Sequence, residues 1–259
     1  MASGERSDTT RSSARNQGPG EPDPIRSFFA GLAARYTLER QRHTVDKPGA
    51  TAAGHSHGDA LIDELVRSML QWEAGHAQAR AAYQRLLASV TDYNELRICF
   101  PRELAEVLGP RYPRLEERCE RLCAALNDIA AREQALTLEP LARLDKRKAR
   151  KHVESIQGLP RFAVARVMLF GFRAHAFPLD ERLLSGLVGA GLFQPAVGVD
   201  AAASKIERSV RAGHAADPYD HLEMWSPDTD ADHERAGDAT RPAMTKPTTD
   251  GPPPPKASG

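Results

Sequence analysis

The stretch SIQGLPRFAVARVMLFGFRAHAFPLDERLLSGLVGAGLF, residues 155–193, decides the reading of this chain. It divides into the end of one helix, a tight turn, an apolar helix, a loop and a capped helix. The segment AVARVMLFGF (163–172) is apolar almost all round, which predicts a central, buried helix. DERLLSGLVGAGLF opens on Asp180 and runs out in Gly189 and Gly191. Aspartate is favoured at a helix N-cap because its side-chain oxygen accepts a free backbone N–H. Asp180 therefore reads as a helix cap or as a catalytic acid, and both readings stay open at this stage.

The pattern around this stretch is helical. PIRSFFAGLAARYTLERQRH has Pro24 near its start and apolar Phe28, Phe29, Leu32 and Tyr36 at helical spacing. DALIDELVRSMLQWEA puts Leu61, Leu65, Met69 and Trp72 on one stripe, with Ile62 and Val66 beside it. AQARAAYQRLLASV is a second amphipathic helix, and PRELAEVLG runs from Pro101 to a stop at Gly109. PRLEERCERLCAALNDIAARE repeats Leu115, Cys119, Leu122, Cys123, Leu126 and Ile129 as a long core-facing stripe. LDKRKARKHVESIQGLP has an apolar face of Ala149, Val153 and Ile156 and a basic face of Arg147, Arg150 and Lys151. AAASKIERSVRAG and DPYDHLEMW close the domain. No alternating strand pattern appears. The prediction is one all-α domain of roughly ten helices, spanning residues 25–226.

The two ends differ from this middle. Residues 1–24 and 227–259 have few large apolar side chains, and the second ends in a proline run; both read as disordered tails. The formal net charge is zero, with 35 basic and 35 acidic residues. Without the tails, residues 25–226 hold 28 basic and 25 acidic residues, a mildly basic balance weaker than a dedicated nucleic-acid module carries. The three cysteines, Cys99, Cys119 and Cys123, fit a reducing, cytoplasmic location. Cys119 and Cys123 are four apart on a helix, but with no further Cys or His pair nearby they read as core thiols. His55 and His57 lie in a Gly-rich linker and are not read as a metal site. No apolar run is long enough to cross a membrane.

At residues 141–193 the chain resembles the helix-hairpin-helix DNA glycosylases, the endonuclease III group. In that family a LESLPGVGxKTA hairpin is followed by an apolar helix and a FPVDTHVxRVxxRLGL segment carrying a catalytic Asp. Here VESIQGLP (153–160), ARVMLFGF (165–172), FPLDERLL (177–184) and GLF (191–193) match in order and spacing. LIDELVRSMLQWEAGHAQARAAYQRLL lies where the family has its first long helix. The resemblance covers residues 59–215, with the helix-hairpin-helix at about 146–172. It implies the glycosylase fold, duplex DNA as partner and Asp180 as the candidate catalytic residue.

The signature residues depart from the family. Aligning LPGVGxKTA with LPRFAVARV puts the two hairpin glycines on Arg161 and Ala163, and the Schiff-base lysine on Ala165. Glycines there allow amide N–H groups to point at a phosphate, so a reshaped hairpin is expected. Alanine has no amine, and Arg166 next to it stays protonated and is no nucleophile. No Cys follows Cys123, so the iron–sulfur cluster of many members is not expected, nor any other cofactor or metal. The glutamine that fills the gap left by an extruded base falls near Gln71 or Trp72; Trp72 reads as core rather than a DNA wedge. The resulting expectation is a divergent endonuclease III-like protein, a pseudoenzyme candidate that binds duplex DNA weakly and salt-dependently without lyase chemistry. Phosphate contact is assigned to Arg147, Arg150, Lys151, Arg161 and Arg166. Two alternatives remain: a monofunctional DNA glycosylase using Asp180, and a non-catalytic scaffold for protein contacts. Which base, which protein partners and which oligomeric state stay open.

Overall fold

A computed structural model describes residues 23–36 and 59–226. Both tails expected to be disordered, and the linker carrying His55 and His57, lie outside the described residues. These contain eleven α-helices and no strand, in agreement with the all-α expectation. In chain order they are α1 (Pro24–Tyr36), α2 (Ala60–Gln71), α3 (His76–Ser89), α4 (Tyr93–Ile98), α5 (Pro101–Leu108) and α6 (Leu115–Glu133). After a 3-10 turn at Glu139–Arg143 come α7 (Lys146–Glu154), α8 (Arg161–Arg166), α9 (Glu181–Gly189), α10 (Val199–Ser209) and α11 (Ala216–Trp225).

The core is one continuous cluster. Ile62, Leu65, Val66, Met69 and Leu70 of α2 are fully buried and meet α8 and the turn that follows it. The stripe of α6 also turns inward, with Cys119, Leu122, Leu126 and Ile129 buried. Trp72 is core, only 8% exposed, and the guanidinium groups of Arg114, Arg118 and Arg121 lie 4.9–5.7 Å from its ring centre. A buried tryptophan held by three cations is not available as a wedge into DNA.

The apolar helix after the hairpin departs from a plain α-helix. Its first six residues are α8, and Val167–Gly171 continue as a π-helical turn. Such a turn widens the backbone by one residue. Gly171 allows it to lie against α2, since a Cβ there would come within 2.8 Å of Leu61.

Candidate functional site: the hairpin, its basic edge and Asp180

The hairpin sits earlier in the chain than the motif alignment placed it. α7 ends at Glu154, α8 begins at Arg161, and the turn between them contains Gly158 at φ +86°. A Cβ on Gly158 would stand 2.6 Å from the backbone oxygen of Arg121 on α6, so both backbone conformation and close packing require glycine. Arg161 and Ala163 are helical, and neither has the positive φ at which glycine is favoured. Counted from Gly158, the motif's second glycine falls on Pro160 and its lysine on Phe162. Phe162 is buried against Tyr219, so this register also lacks an amine. The hairpin is further tied to α6: Gln157 N donates to Asp128 Oδ2 at 2.9 Å, and Arg132 donates to the Ser155 hydroxyl and carbonyl.

The five basic residues assigned to phosphate contact separate into two groups. Arg147 and Lys151 are exposed on α7, and Arg150 beside them reaches the His175 carbonyl at 3.3 Å. Arg161 opens α8, highly exposed and paired with the exposed Asp200. These four share one edge around the hairpin, where Arg150 and Arg161 border a cleft of about 420 Å³ with Glu154, Asp200 and Glu207. Arg166 does not belong with them. It points inward and pairs with Glu64 at 2.5 Å, side-chain exposures being 14% and 8%. Burial alone would drive its guanidinium toward neutrality, but Glu64 reverses this and raises its pKa. The expectation of a phosphate contact is corrected at this residue: an i+5 step from Arg161 on a helix turns it to the opposite face.

Asp180 is the N-cap of α9 and is only 3% exposed. Its Oδ1 accepts from Leu183 N at 2.9 Å and its Oδ2 from Glu73 N at 2.7 Å. Glu73, in the left-handed region at φ +55°, returns the contact. Its carboxylate accepts from Glu181 N at 3.0 Å and Arg182 N at 3.2 Å. Burial pushes the Asp180 carboxyl up to about 7, with Glu223 and Glu73 adding to the rise against the pull of Arg182 and the Leu183 N–H. Beside it lies a buried ion pair with its own hydrogen-bond partners. Arg182 binds Glu223 at 2.7 Å, and Glu223 also accepts from Tyr219 and Gln71. A smaller cavity of about 250 Å³ lies beyond Glu223, bordered by Arg166, Arg173, Phe170 and Tyr219, and Asp180 does not line it.

Glu73, Arg182, Glu223 and Glu64 escaped the sequence reading because each is a charged residue inside or beside an apolar stripe, where a surface position is the default. Only the i, i+4 spacing of Tyr219 and Glu223 in PYDHLEMW hinted at a shared face.

No protein-family model and no curated protein sequence matches the chain. Among solved structures it is similar to endonuclease III trapped in a covalent intermediate with DNA, with TM-score 0.56 and 11% identity over 78% of this chain and 84% of that one. It is also similar to a Helicobacter pylori 3-methyladenine DNA glycosylase bound to 1,N6-ethenoadenine, with TM-score 0.55 and 10% identity over 80% and 98% of the two chains. A thermostable thymine-DNA glycosylase matches at TM-score 0.53 and 15% identity, over 78% and 86%. The fold is that of the helix-hairpin-helix DNA glycosylases. Within this glycosylase fold the three cysteines do not fit an iron–sulfur cluster: they number one fewer than the usual four ligands, and Cys119 and Cys123 are buried between α6 and its neighbours. Among the described residues no three of His, Cys, Asp and Glu gather as metal ligands, and no helix is long and apolar enough to cross a membrane.

Proposed function

We propose that this protein binds duplex DNA along the α7–hairpin edge and breaks neither the glycosidic bond nor the DNA backbone. The observation that carries the reading is the separation of its two parts: a basic edge of exposed Arg147, Lys151 and Arg161 with half-buried Arg150, and a buried acid at Asp180. The solved structures of similar fold include a complex with DNA, which makes duplex DNA the first ligand to test. Against a monofunctional glycosylase stands the burial of Asp180, 3% exposed, with each of its oxygens already accepting a backbone N–H. Asp128 on the Gln157 amide puts a carboxylate on one of the hairpin N–H groups that a phosphate would need, so binding rests on side-chain charge and is weak. Three free thiols suit a reducing cytoplasm.

The test is fluorescence anisotropy on an undamaged duplex at several salt concentrations. Four phosphate contacts give a slope of log affinity against log salt of about −3.6. Replacing Arg150 and Lys151 together flattens it to about −1.8. An unchanged slope, or no binding at low salt, favours a protein-contact scaffold instead. Release of a free base from damaged duplexes overturns the non-catalytic half of the reading.

A further inference from the structure

A second surface lies away from the basic edge. The ends of α3, α4 and α5 enclose an open groove of about 590 Å³. Its floor is apolar: Leu86, Leu96 and Leu104 are buried there, with Val90 and Val107 half-buried above them. Its rim is acidic, carrying the exposed carboxylates Glu95, Glu103 and Glu106, and no basic side chain lines it. Ile98 and Phe100 flank the groove-lining Cys99 in the chain and are 69% and 72% exposed. Two large apolar side chains this exposed, one residue in the chain from a groove with an apolar floor, mark an unfilled contact surface.

We propose that this groove docks a basic amphipathic helix of a partner protein. The floor offers sockets to apolar side chains at i, i+3 and i+4, the helix-in-groove mode of recognition. Backbone pairing is not on offer, since the described residues contain no strand. The glutamate rim selects lysine or arginine flanking the apolar stripe, and it repels nucleic acid and anionic lipid. A second copy of this chain is disfavoured because a twofold contact would set the same three carboxylates against each other. The chain's own segments are poorly suited: residues 37–58 offer Leu38 and Val45 as their only large apolar side chains, and residues 227–259 offer only Met244. α6 packs on α4 and α5 and also carries Arg121, Asp128 and Arg132, which touch the hairpin. The groove and the basic edge therefore stand on different parts of the fold, and the proposal does not depend on DNA binding.

The experiment uses the isotope-labelled full chain and a synthetic helical peptide of leucine and lysine, with leucines at helical spacing. The control peptide has glutamate for every lysine. The lysine peptide is expected to bind and to shift the resonances of Leu86, Val90, Leu96, Leu104 and Val107, while the glutamate peptide binds at least about tenfold more weakly. Phe100→Ser with Ile98→Ser, and separately Glu106→Lys, each weaken the lysine peptide by about tenfold. All three positions are exposed, so the fold survives these changes. No binding, equal binding of both peptides, or shifts confined to other surfaces overturns the proposal. Self-association of the free chain that Phe100→Ser abolishes assigns the groove to a second copy and also overturns it. So does a response of the Leu38 and Val45 amides to Phe100→Ser in the absence of peptide, which assigns it to the chain's own segment.

Discussion

Glu73 and Asp180 cap each other. The Glu73 N–H donates to Asp180, and the Glu73 carboxylate accepts two N–H groups from the helix that Asp180 opens. The α2–α3 turn and the start of α9, over a hundred residues apart in the chain, are joined by these three hydrogen bonds. The arrangement also brings two carboxyls near each other in a buried place, which is part of why Asp180 titrates high. Holding a glutamate at positive φ costs about 1–2 kcal/mol, and the bonds it makes offset that strain.

The first consequence is a pH dependence of stability. Asp180 lies near 7 in the folded chain against an ordinary value of 3.8, so the folded state keeps a proton that the unfolded state has lost. The contribution of this group is fully present below about pH 3.8 and falls as pH rises through 7, by up to about 4 kcal/mol. Urea denaturation at steps from pH 5 to pH 8 should show stability declining up to about pH 7 and levelling above it. Asp180→Asn should remove this part of the decline and leave the parts that Glu64 and Asp220, also raised, contribute.

The same variant has a cost that a simple cap would not show. Both Asp180 oxygens accept backbone N–H groups, whereas asparagine has one oxygen, so one N–H must face its amide. At pH 5 the substitution should cost about 1–3 kcal/mol. The deficit should shrink toward pH 8, where the wild-type carboxylate carries its desolvation cost. A deficit that grows with pH would mean that the carboxylate is stabilised by its surroundings, contrary to its burial.

Gly158 makes a sharper test of the hairpin register. Gly158→Ala meets both the left-handed backbone and the Arg121 oxygen, and should lose at least about 2 kcal/mol in urea denaturation. Arg161→Gly restores a glycine where the motif alignment asks for one. It should bring no gain in stability and should weaken DNA binding, because it removes an exposed charge from a helix start.

This pair of variants bears on what the sequence could disclose. Helix positions were legible because apolar spacing is a property of each segment: the stripes of α2 and α6, the Pro101 start and Gly109 stop of α5, and the Asp180 cap all follow from local pattern. The hairpin register was not, since Gly158 and the Pro160–Arg161 junction serve a motif of small residues equally well at two offsets. Its choice depends on contact with Arg121, far away in the chain. α4 escaped notice because TDYNELRI is too short to show a period. Arg166 was assigned to the surface because residue type alone cannot reveal Glu64 waiting inside.

That buried pair gives a further prediction. Arg166→Met removes the ion-pair partner of buried Glu64 and leaves its carboxylate the Ser68 hydroxyl, which should cost about 3–5 kcal/mol. Adding Glu64→Leu should recover most of the loss. In conditions where Arg166→Met remains folded, the salt slope of DNA binding should match that of the wild type, because this guanidinium is not on the basic edge. A flattened slope would return Arg166 to the interface.

The last prediction concerns covalent chemistry. Cleavage of an abasic site through a Schiff base needs an amine beside the sugar. Neither register of the motif supplies one: Ala165 and Phe162 carry no nitrogen in their side chains. The lysine nearest in sequence, Lys151, is exposed on α7, and Lys146 spends its ammonium on the Phe172 carbonyl. Borohydride treatment with abasic-site duplex should therefore trap no protein–DNA adduct, even at low salt where binding is strongest. An adduct lost on replacing Lys146 or Lys151 would show that a surface amine reaches the sugar, and the non-lyase reading would fail. Base release from a damaged duplex without any adduct leaves Asp180 as the residue to test. If Asp180→Asn then abolishes release while the melting temperature falls only by the amount its lost hydrogen bond requires, the acid works in catalysis despite its seal, and the Glu73 clamp must open to let it.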